Sequence, residues 1–518
     1  MLHRRTVIAA GAAGAAAAIA RPARASGRSL DLVLESEAVI LDPYATTAAI
    51  TRTFGYHVFD TLFATAEDGT IHPQMVGRWQ VAADGLEWRF ELREGLQWHD
   101  GPPVTAADCI ASLNRWMPKD PLGRMLAAVT DRLTALDPRV FAIRLTEPFP
   151  LMLDVLGKPN AVVPFMLPER LAATPGDKRI AEIVGSGPFR FRPDLWRPGD
   201  RMVLDRNAAY VPRLEKPSFL AGGKIARVDS LVLRVMPDDA TAANALVNGE
   251  VDYVQYVSFD QLDRLARSRG VGVMTLGGIH MFQGNFRLNH ATGPFTDPAV
   301  RRVLWHLVDQ AEIMSAIGIA KPFAAPPCPS FWMCGSPLET AAGAVSGHSI
   351  EAAKAALKKT AYAGEPVVML ETSGSISETA CRVLAQAMKQ AGFTVDEQPM
   401  DWGTVLARRA KKDGWSLFGV YSNGVDMVSP LNHFYVASTC ADYPGWSCDK
   451  RIPALLGTFA KAEQPEQRRA IAAEIQTICY EIVPSVMWGQ FSRPAAYRTR
   501  LSNLPQSSFP IFWEVDVA

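Results

Sequence analysis

The segment with the clearest chemical potential is GWSLFGVYSNGVDMVSPLNHFY, residues 414–435. An apolar run at 417–421 predicts a buried strand, and polar side chains follow it directly. Loops at strand ends form the ligand crevice of open α/β sheets, so Trp415, Tyr421, Asn423 and Asp426 are candidate ligand contacts. Aspartate also favours turns regardless of function, so an ordinary loop role for Asp426 stays open.

A second group of candidates is aromatic. His280 and Phe282 lie in IHMFQGNFRLN, Trp488 lies in VPSVMWGQFSRP, and Trp332 and Trp402 lie near predicted loops. Aromatic faces combined with a few fixed polar groups are typical of small-molecule sites. Packing between domains is the alternative, because alternate residues of a strand must face a core.

Known catalytic signatures are absent from the sequence. It has no HExxH zinc helix, no GxSxG nucleophile turn, no GxxxxGK[ST] phosphate loop and no CxxC pair. None of its nine histidines forms an i,i+4 metal pair. We therefore predict a binding protein with no metal, no cofactor and no catalytic residue, and an exported hydrolase acting on peptides or glycans is the alternative.

Length and composition predict two or three globular domains. The chain has 518 residues, of which 48% are hydrophobic and 20% are charged. Removal of the first 25 residues would leave 49 Lys and Arg against 53 Asp and Glu. This mildly acidic balance gives no basic field for nucleic acid.

The first 25 residues predict an export signal. A charged start with Arg4 and Arg5 precedes an Ala/Gly-rich apolar run, and Ala23-Arg24-Ala25 fits a cleavage site. The paired arginines favour the twin-arginine route. After Arg28 no run of 18 apolar residues follows, and no cysteine stands at the cleavage site to carry a lipid. A free protein of the Gram-negative periplasm is the prediction.

Seven cysteines in an exported chain permit disulfides. Cys440 and Cys448 enclose a short turn-rich loop, and Cys328 and Cys334 are a second candidate pair. The other cysteines, in predicted helices, are expected to be buried small hydrophobes. These are Cys109, Cys381 and Cys479.

Local patterns predict several elements. Residues 86–92 alternate apolar and polar after the turn Asp84-Gly85, which indicates a hairpin strand. Thr105 to Asp108 reads as a capping box that opens a helix ending by Pro118. An alternating strand is expected over 30–40, and helices are expected over 239–248, 298–317 and 377–390, the last between two strands of a parallel β-α-β unit.

Residues 79–117, WQVAADGLEWRFELREGLQWHDGPPVTAADCIASLNRWM, closely resemble a segment of the family 5 extracellular solute-binding proteins. That family includes oligopeptide-, dipeptide- and nickel-binding proteins. Four further matches follow in family order, namely VFDTL at 58–62, GSGPF at 185–189, NGEVD at 248–252 and PFTDPAVRR at 294–302. The resemblance covers nearly the whole chain after the export signal.

The resemblance implies a type II periplasmic binding protein fold, α/β, with two lobes joined by a hinge and an additional accessory domain. The implied first lobe combines residues 28–52, 183–277 and 490–518, and residues 53–182 form its accessory domain. Residues 278–489 form the second lobe. Capture by hinge closure and delivery to the inner-membrane permease of an ABC importer follow as expectations, with the protein acting as a monomer.

The resemblance also suggests roles for particular residues. Asp426 matches an aspartate that pairs with the amino group of peptide ligands, which implies a cationic nitrogen on the ligand. Tyr44 lies in a loop that resembles a first-lobe ligand loop and is expected to face the cleft. Dipeptide-binding relatives carry an arginine before the helix at 377–390, but the stretch 373–379 has no base. Cationic or neutral solutes, longer peptides, opines and glycans therefore stay open.

Overall fold

The computed structural model describes residues 28–319, 321, 323–345, 347–441 and 443–518. The predicted export signal at 1–25 lies outside the described residues. Within them, no helix combines the length and the apolar character needed to cross a bilayer. Their named strands form three larger sheets and two antiparallel sheets of two strands each, Phe63–Thr65 with Ile71–Pro73 and Leu501–Ser502 with Asp516–Val517.

The first sheet draws seven strands from distant parts of the chain. Its central strand, Ser29–Val33, is parallel to Ser230–Arg234 on one side and to Tyr253–Val254 on the other. The carboxyl ends of these three strands therefore lie at one edge. The spatial order is Val271–Met274, Ala495–Arg498, Tyr253–Val254, Ser29–Val33, Ser230–Arg234, Arg201–Arg206 and Phe189–Phe191.

The second sheet has five strands from the later half of the chain. Val367–Thr372 is parallel to both Val395–Met400 and Leu417–Asn423, with Ile376–Ala391 as the crossover helix. This confirms the predicted β-α-β unit. The spatial order is Val395–Met400, Val367–Thr372, Leu417–Asn423, Phe282–Leu288 and Ser485–Phe491.

The third sheet is antiparallel and has four strands. Glu87–Leu92 pairs with Val76–Val81 around the turn at Gly85, so the predicted hairpin is confirmed. Apolar side chains of this sheet pack on a helix that begins after the reciprocal cap of Thr105 and Asp108, also as predicted. The spatial order is Val76–Val81, Glu87–Leu92, Val140–Leu145 and Thr130–Asp137.

The helices begin and end mostly at local signals. Gly249 and Gly392 adopt left-handed backbone at the ends of two predicted helices, as a helix-terminating glycine should. The α-helices are Ala49–Val58, Ala106–Trp116, Pro121–Val129, Met152–Leu156, Glu169–Ala172, Asp239–Asn248, Leu262–Arg267, Pro298–Val303, Gln310–Ile317, Ile350–Leu357, Ile376–Ala391, Trp402–Arg409, Phe434–Ala437, Arg451–Lys461 and Pro465–Ile482.

Two predicted elements are wrong in extent. The helix over 298–317 is interrupted, because the Asp309 side chain accepts hydrogen bonds from two backbone N–H groups and starts a new helix at Gln310. The strand over 30–40 ends at Val33. Beyond it, the Glu35 N–H donates to the side chain of Gln255 instead of to a neighbouring strand.

Both candidate cysteine pairs are disulfides in the structure, Cys328 with Cys334 and Cys440 with Cys448. The other three cysteines are free and buried. Burial raises the pKa of each of these thiols. They behave as small core residues, as predicted.

Sheet membership shows that the chain passes twice between the two main sheets. It leaves the first sheet after Met274 and enters the second at Phe282, and it returns from Phe491 to Ala495. The finer lobe boundaries given above, including the accessory domain at 53–182, stay a prediction.

Candidate ligand-binding site between the two main sheets

Three polar or aromatic side chains leave the first sheet at one edge. Glu35 and Tyr256 each stand two positions beyond the carboxyl end of a parallel strand. Arg493 stands two positions before Ala495–Arg498, whose first residues pair beside those ends. Strand pairing therefore gathers residues that are more than 200 positions apart in sequence.

The second sheet presents its predicted polar loop at the edge where the chain crosses. Leu417–Asn423 ends there, with Asn423 opposite Phe282 and Phe282 opposite Phe491. Both connections between the sheets leave from this edge. The polar ends of the two main sheets thus approach each other at the chain crossings, and we call the region between them the cleft. The carboxyl ends of strands are the usual position for a ligand in open α/β architectures.

Arg493 is a cation that contacts residues of both sheet edges. Its guanidinium carbon lies 3.9 Å from the centre of the Tyr256 ring, and its Nη1 donates to the Tyr421 hydroxyl over 3.0 Å. These contacts join the two sheet edges and include the predicted site residue Tyr421. Among the described residues, no carboxylate oxygen lies within 4.0 Å of the Arg493 guanidinium nitrogens.

Glu35 is the acid of the same edge. Glu35 is an exposed residue, and desolvation by nearby protein atoms raises the pKa of its carboxyl while the charges of Arg493 and Arg52 oppose that rise. Among the described residues, no cationic nitrogen lies within 4.0 Å of the Glu35 carboxylate oxygens.

Asp426 already has a cationic partner. Its Oδ1 accepts from Nη1 of Arg52 over 2.7 Å, and the two side chains are only 6% and 4% exposed. Arg52 lies in the helix Ala49–Val58 beside the first sheet, whereas Asp426 follows a strand of the second, so the ion pair connects both sides of the cleft. The side-chain amide of Asn160 donates to the Val425 carbonyl over 2.7 Å and reinforces this connection.

The ion pair changes the role expected for Asp426. Desolvation lowers the pKa of Arg52, but the Asp426 charge and hydrogen bond outweigh it and leave the pKa raised, so the arginine stays charged. The guanidinium also lies 4.6 Å from the centre of the Phe509 ring. In this structure Asp426 is paired with Arg52, and its predicted contact with a cationic nitrogen of the ligand stays a prediction.

Other predicted site residues lie close to the cleft. The Phe282 ring contacts Tyr256 and Tyr421, with centres 5.7 and 5.6 Å apart. Asn423 is buried, and its Oδ1 has no hydrogen-bond donor in the described part of the chain. The His280 ring contacts the ring of Phe219, and the two ring centres are 5.1 Å apart. Desolvation lowers the pKa of His280.

Two predicted site tryptophans are core residues. Trp488 is fully buried, donates from its indole N–H to the Val420 carbonyl over 3.1 Å, and covers Gly284 so closely that a Cβ there would lie 2.1 Å from the ring. Trp332 is also fully buried and packs against His433, with ring centres 5.7 Å apart. Both tryptophans therefore pack in the protein core, which was the alternative interpretation of these residues.

Three further candidates contact other residues. Trp415 precedes the amino end of the strand that ends at Asn423, and it packs on Phe418 and Trp446. Trp402 is 40% exposed and contacts Arg409 of its own helix. Tyr44 is 3% exposed and donates its hydroxyl to the Phe165 carbonyl, and its expected position at the cleft stays a prediction.

Sequence reasoning missed four of the charged and aromatic residues that meet here. These are Glu35, Arg52, Tyr256 and Arg493. A usable signal existed for Arg52, because it is the one arginine in the otherwise uncharged segment AITRTFGYHV. For the others, only the pairing of remote strands reveals their proximity.

A two-sheet α/β molecule with a charged cleft at its chain crossings has the construction of a solute-binding protein. The family model described as bacterial extracellular solute-binding proteins, family 5 Middle, matches residues 70–444. The chain belongs to this family. Its role is accordingly that of the substrate-binding protein of an ABC importer, and the fold is the type II periplasmic binding protein fold.

Individual relatives agree with this assignment. The probable peptide ABC transporter periplasmic-binding protein y4tO of Sinorhizobium fredii is 33% identical over the full length of both chains. The structure of AgaA from A. tumefaciens R10 with agropinic acid has a TM-score of 0.78 at 22% identity, covering 95% of this chain and 99% of that one. The dipeptide-binding protein of Pseudoalteromonas sp. SM9913 with Met-Leu has a TM-score of 0.80 at 17% identity, covering 95% and 100%.

Proposed function

We propose that this chain is exported to the periplasm, captures a small solute between its two main sheets and delivers it to an inner-membrane permease. The observation that carries the proposal is the ion pair of Arg52 and Asp426, which joins opposite sides of the cleft at 2.7 Å. A cleft whose sides form mutual contacts only when they approach can be closed around a guest.

The proposed ligand contacts lie at the facing sheet edges. From the sequence predictions we retain Tyr421, Asn423, Phe282 and His280, because each lies at or beside an edge. To these we add the first-sheet residues Glu35, Tyr256 and Arg493. Asp426 is assigned to closure of the cleft through Arg52.

Export and delivery extend the proposal. Residues 1–25 would act as the signal peptide, through the twin-arginine route suggested by Arg4 and Arg5. The released protein would act as a monomer in the Gram-negative periplasm. Its partner would be the permease, which recognises the closed form.

Capture would leave the solute chemically unchanged. The buried histidines His57 and His99 illustrate why an acid–base role is not proposed. Desolvation lowers the pKa of each to about 4, and each ring accepts or donates bonds to backbone within a core. The hydrolase alternative has no support from the family or its relatives.

The test combines calorimetry with small-angle X-ray scattering on the purified chain without its signal segment. Amino acids, dipeptides, glutathione, opines and oligosaccharides are titrated, and each compound that binds is recovered and analysed by mass spectrometry. We expect a smaller radius of gyration on binding and recovery of the intact compound. Turnover of the compound, or no binding by any compound with an unchanged envelope, would contradict the proposal.

A further inference from the structure

We propose that one exposed helix of the second sheet layer, together with the two lysines that follow it, binds the surface of a bilayer that is rich in anionic phospholipid. We call this surface the basic patch, and it consists of Trp402, Leu406, Arg409, Lys411 and Lys412. Membrane attachment goes beyond the proposed function, because it places the protein on a surface and needs no bound solute.

Two large apolar side chains of the helix Trp402–Arg409 are exposed. Trp402 is 40% exposed and Leu406 is 38% exposed. They lie four positions apart and therefore on one face of the helix. Val405 is fully buried and packs with Leu370 and Phe418, so it fixes the helix to the second sheet. The face with Trp402 and Leu406 points away from this packing.

Three cations accompany these apolar side chains and lack acidic partners. Arg409 lies seven positions after Trp402, and its guanidinium carbon is 5.2 Å from the centre of the Trp402 ring. Lys411 and Lys412 follow the helix and are exposed. Among the described residues, no carboxylate oxygen lies within 4.0 Å of the side-chain nitrogens of these three cations.

The acids nearest in sequence do not neutralise the basic patch. Residues 401–413 contain four cations and only two acids. Asp401 caps the helix, because its carboxylate accepts hydrogen bonds from the backbone N–H of Thr404 over 3.0 Å and from the Thr404 hydroxyl over 2.5 Å. Asp413 is exposed and makes no ion pair within the described part of the chain.

Exposed arginines elsewhere in the molecule show the usual alternative, which is pairing within the protein. Arg78 is 80% exposed and forms an ion pair with Glu91 at 2.7 Å. Arg451 donates to Asp449 and Glu481 over 2.7 and 2.8 Å. The chain without its first 25 residues has 49 Lys and Arg against 53 Asp and Glu, so composition does not explain an unpaired group of cations. Charge complementarity points to an anionic partner.

Stabilisation of the helix explains only part of the basic patch. Cations in a last turn compensate the partial negative charge at the carboxyl end of a helix, and Arg408 and Arg409 occupy that turn. Lys411 and Lys412 lie beyond it. The Lys411 residue contributes to the fold through its backbone carbonyl, which accepts from the Trp415 indole N–H over 2.7 Å. The two ammonium groups are therefore available to a partner.

The composition of the basic patch favours a bilayer over a protein surface. Tryptophan and leucine beside several lysines and arginines are typical of helices that lie in the interface of anionic membranes. Tryptophan is enriched at the level of the lipid headgroups. Lysine is depleted in protein–protein interfaces, where arginine takes its place. Mobile lysines suit a bilayer, because lipid headgroups impose no fixed geometry on the cations that they attract.

The experiment measures co-sedimentation of the purified chain, without residues 1–25, with vesicles of equal parts phosphatidylethanolamine and phosphatidylglycerol. Phosphatidylcholine vesicles are the neutral comparison. We expect binding to the anionic vesicles only, with release at high salt. The double variant Lys411→Ser with Lys412→Ser should weaken this binding about tenfold or more. Trp402→Ala should also weaken it, because the indole no longer enters the interface.

The control is the double variant Arg78→Ser with Arg267→Ser, which removes the same charge from two side chains that are 80% and 83% exposed and lie near acids. Its binding should equal that of the parent. Equal losses in both double variants would mean that net charge and not the basic patch governs binding, and would overturn the inference.

No binding of the parent to anionic vesicles, or equal binding to neutral ones, would also overturn the inference and leave solute capture intact. Binding only to neutral vesicles that contain the permease would assign the basic patch to a protein partner and overturn the lipid assignment. Circular dichroism of each variant establishes that it is folded before sedimentation.

Discussion

Two oppositely charged pairs lie in the same cleft, and they differ in whether they touch. Arg52 and Asp426 are in contact at 2.7 Å and are nearly inaccessible to water. The charge of Arg493 opposes the raised pKa of Glu35 without an ion-pair contact between the two side chains, and Glu35 is exposed whereas Arg493 is partly exposed. The first pair is complete within the protein, whereas the second is open to water.

This difference separates closure from recognition. A buried contacting pair is sensitive to the loss of either member, so it favours the geometry in which both sides of the cleft meet. An accessible and separated pair contributes little to folding and can exchange water for ligand. Removal of a member of the contacting pair should therefore affect stability far more than removal of Arg493.

The largest effect is expected for Arg52→Met. The substitution leaves Asp426 buried without a cation, which should lower the free energy of unfolding by ~3–5 kcal/mol in urea titrations or force the cleft open. Scattering would report the opening as a larger radius of gyration. The double variant Arg52→Met with Asp426→Leu restores neutrality and should recover most of the loss. An Arg52→Met variant that is as stable and as compact as the parent would contradict the claim that the ion pair of Arg52 and Asp426 holds the two sides of the cleft together.

Glu371, near the end of a strand of the second sheet, should make the stability of the protein depend on pH. Glu371 is 1% exposed, and desolvation together with the nearby Glu397 raises its pKa to about 7. Because the folded form holds this proton more tightly than the unfolded chain, the free energy of unfolding falls as the pH rises from about 4.5 to about 7.

Glu371→Gln should remove that loss. The variant should match the parent near pH 4.5 and exceed its free energy of unfolding by about 1–3 kcal/mol at about pH 8. Urea titrations across this range provide the measurement, with Glu378→Gln on the adjacent helix as the comparison. Parallel pH profiles for parent and Glu371→Gln would show that Glu371 is ionised at neutral pH.

A smaller effect on stability is expected for Arg493→Met. This arginine has no carboxylate within 4.0 Å among the described residues, so its removal strands no buried charge. The free energy of unfolding, measured by urea titration, should change by less than about 1 kcal/mol, which is far less than for Arg52→Met. A loss as large as that of Arg52→Met would mean that both pairs serve the fold.

The smallest effect is expected outside the cleft. Arg78 and Glu91 form an ion pair at 2.7 Å on the third sheet, but Arg78 is 80% exposed. Glu91→Gln should change the free energy of unfolding by about 0–0.5 kcal/mol, because water screens the pair. Urea titration measures this change in the free energy of unfolding. A loss above about 1 kcal/mol would contradict the claim that an exposed ion pair stabilises the fold much less than the buried pair of Arg52 and Asp426.

Elements with short-range signals were predictable from sequence. The reciprocal cap of Thr105 and Asp108, the glycines at 249 and 392 and the turn at Gly85 each act within a few residues, and each is confirmed. The prediction of one helix over 298–317 was wrong because it followed the apolar periodicity and overlooked Asp309, whose side chain caps a new helix at Gln310. Local patterns thus fix where elements exist better than where they stop.

The candidate site was only partly predictable. Tyr421 and Asn423 follow a strand that the sequence marks, whereas Trp415 was included through sequence proximity although it stands before the same strand. Arg52 and Asp426 are 374 positions apart, and no pattern within a window can join them. Glu35, Tyr256 and Arg493 meet only because three remote strands pair in one register.

A crystal structure of the protein with a captured solute tests the central claim most directly. We expect Arg52 and Asp426 to remain in contact, and the solute to lie against Arg493 and Tyr421. A solute whose cationic nitrogen takes Asp426 away from Arg52, with Arg493 and Tyr421 facing only water, would contradict the account.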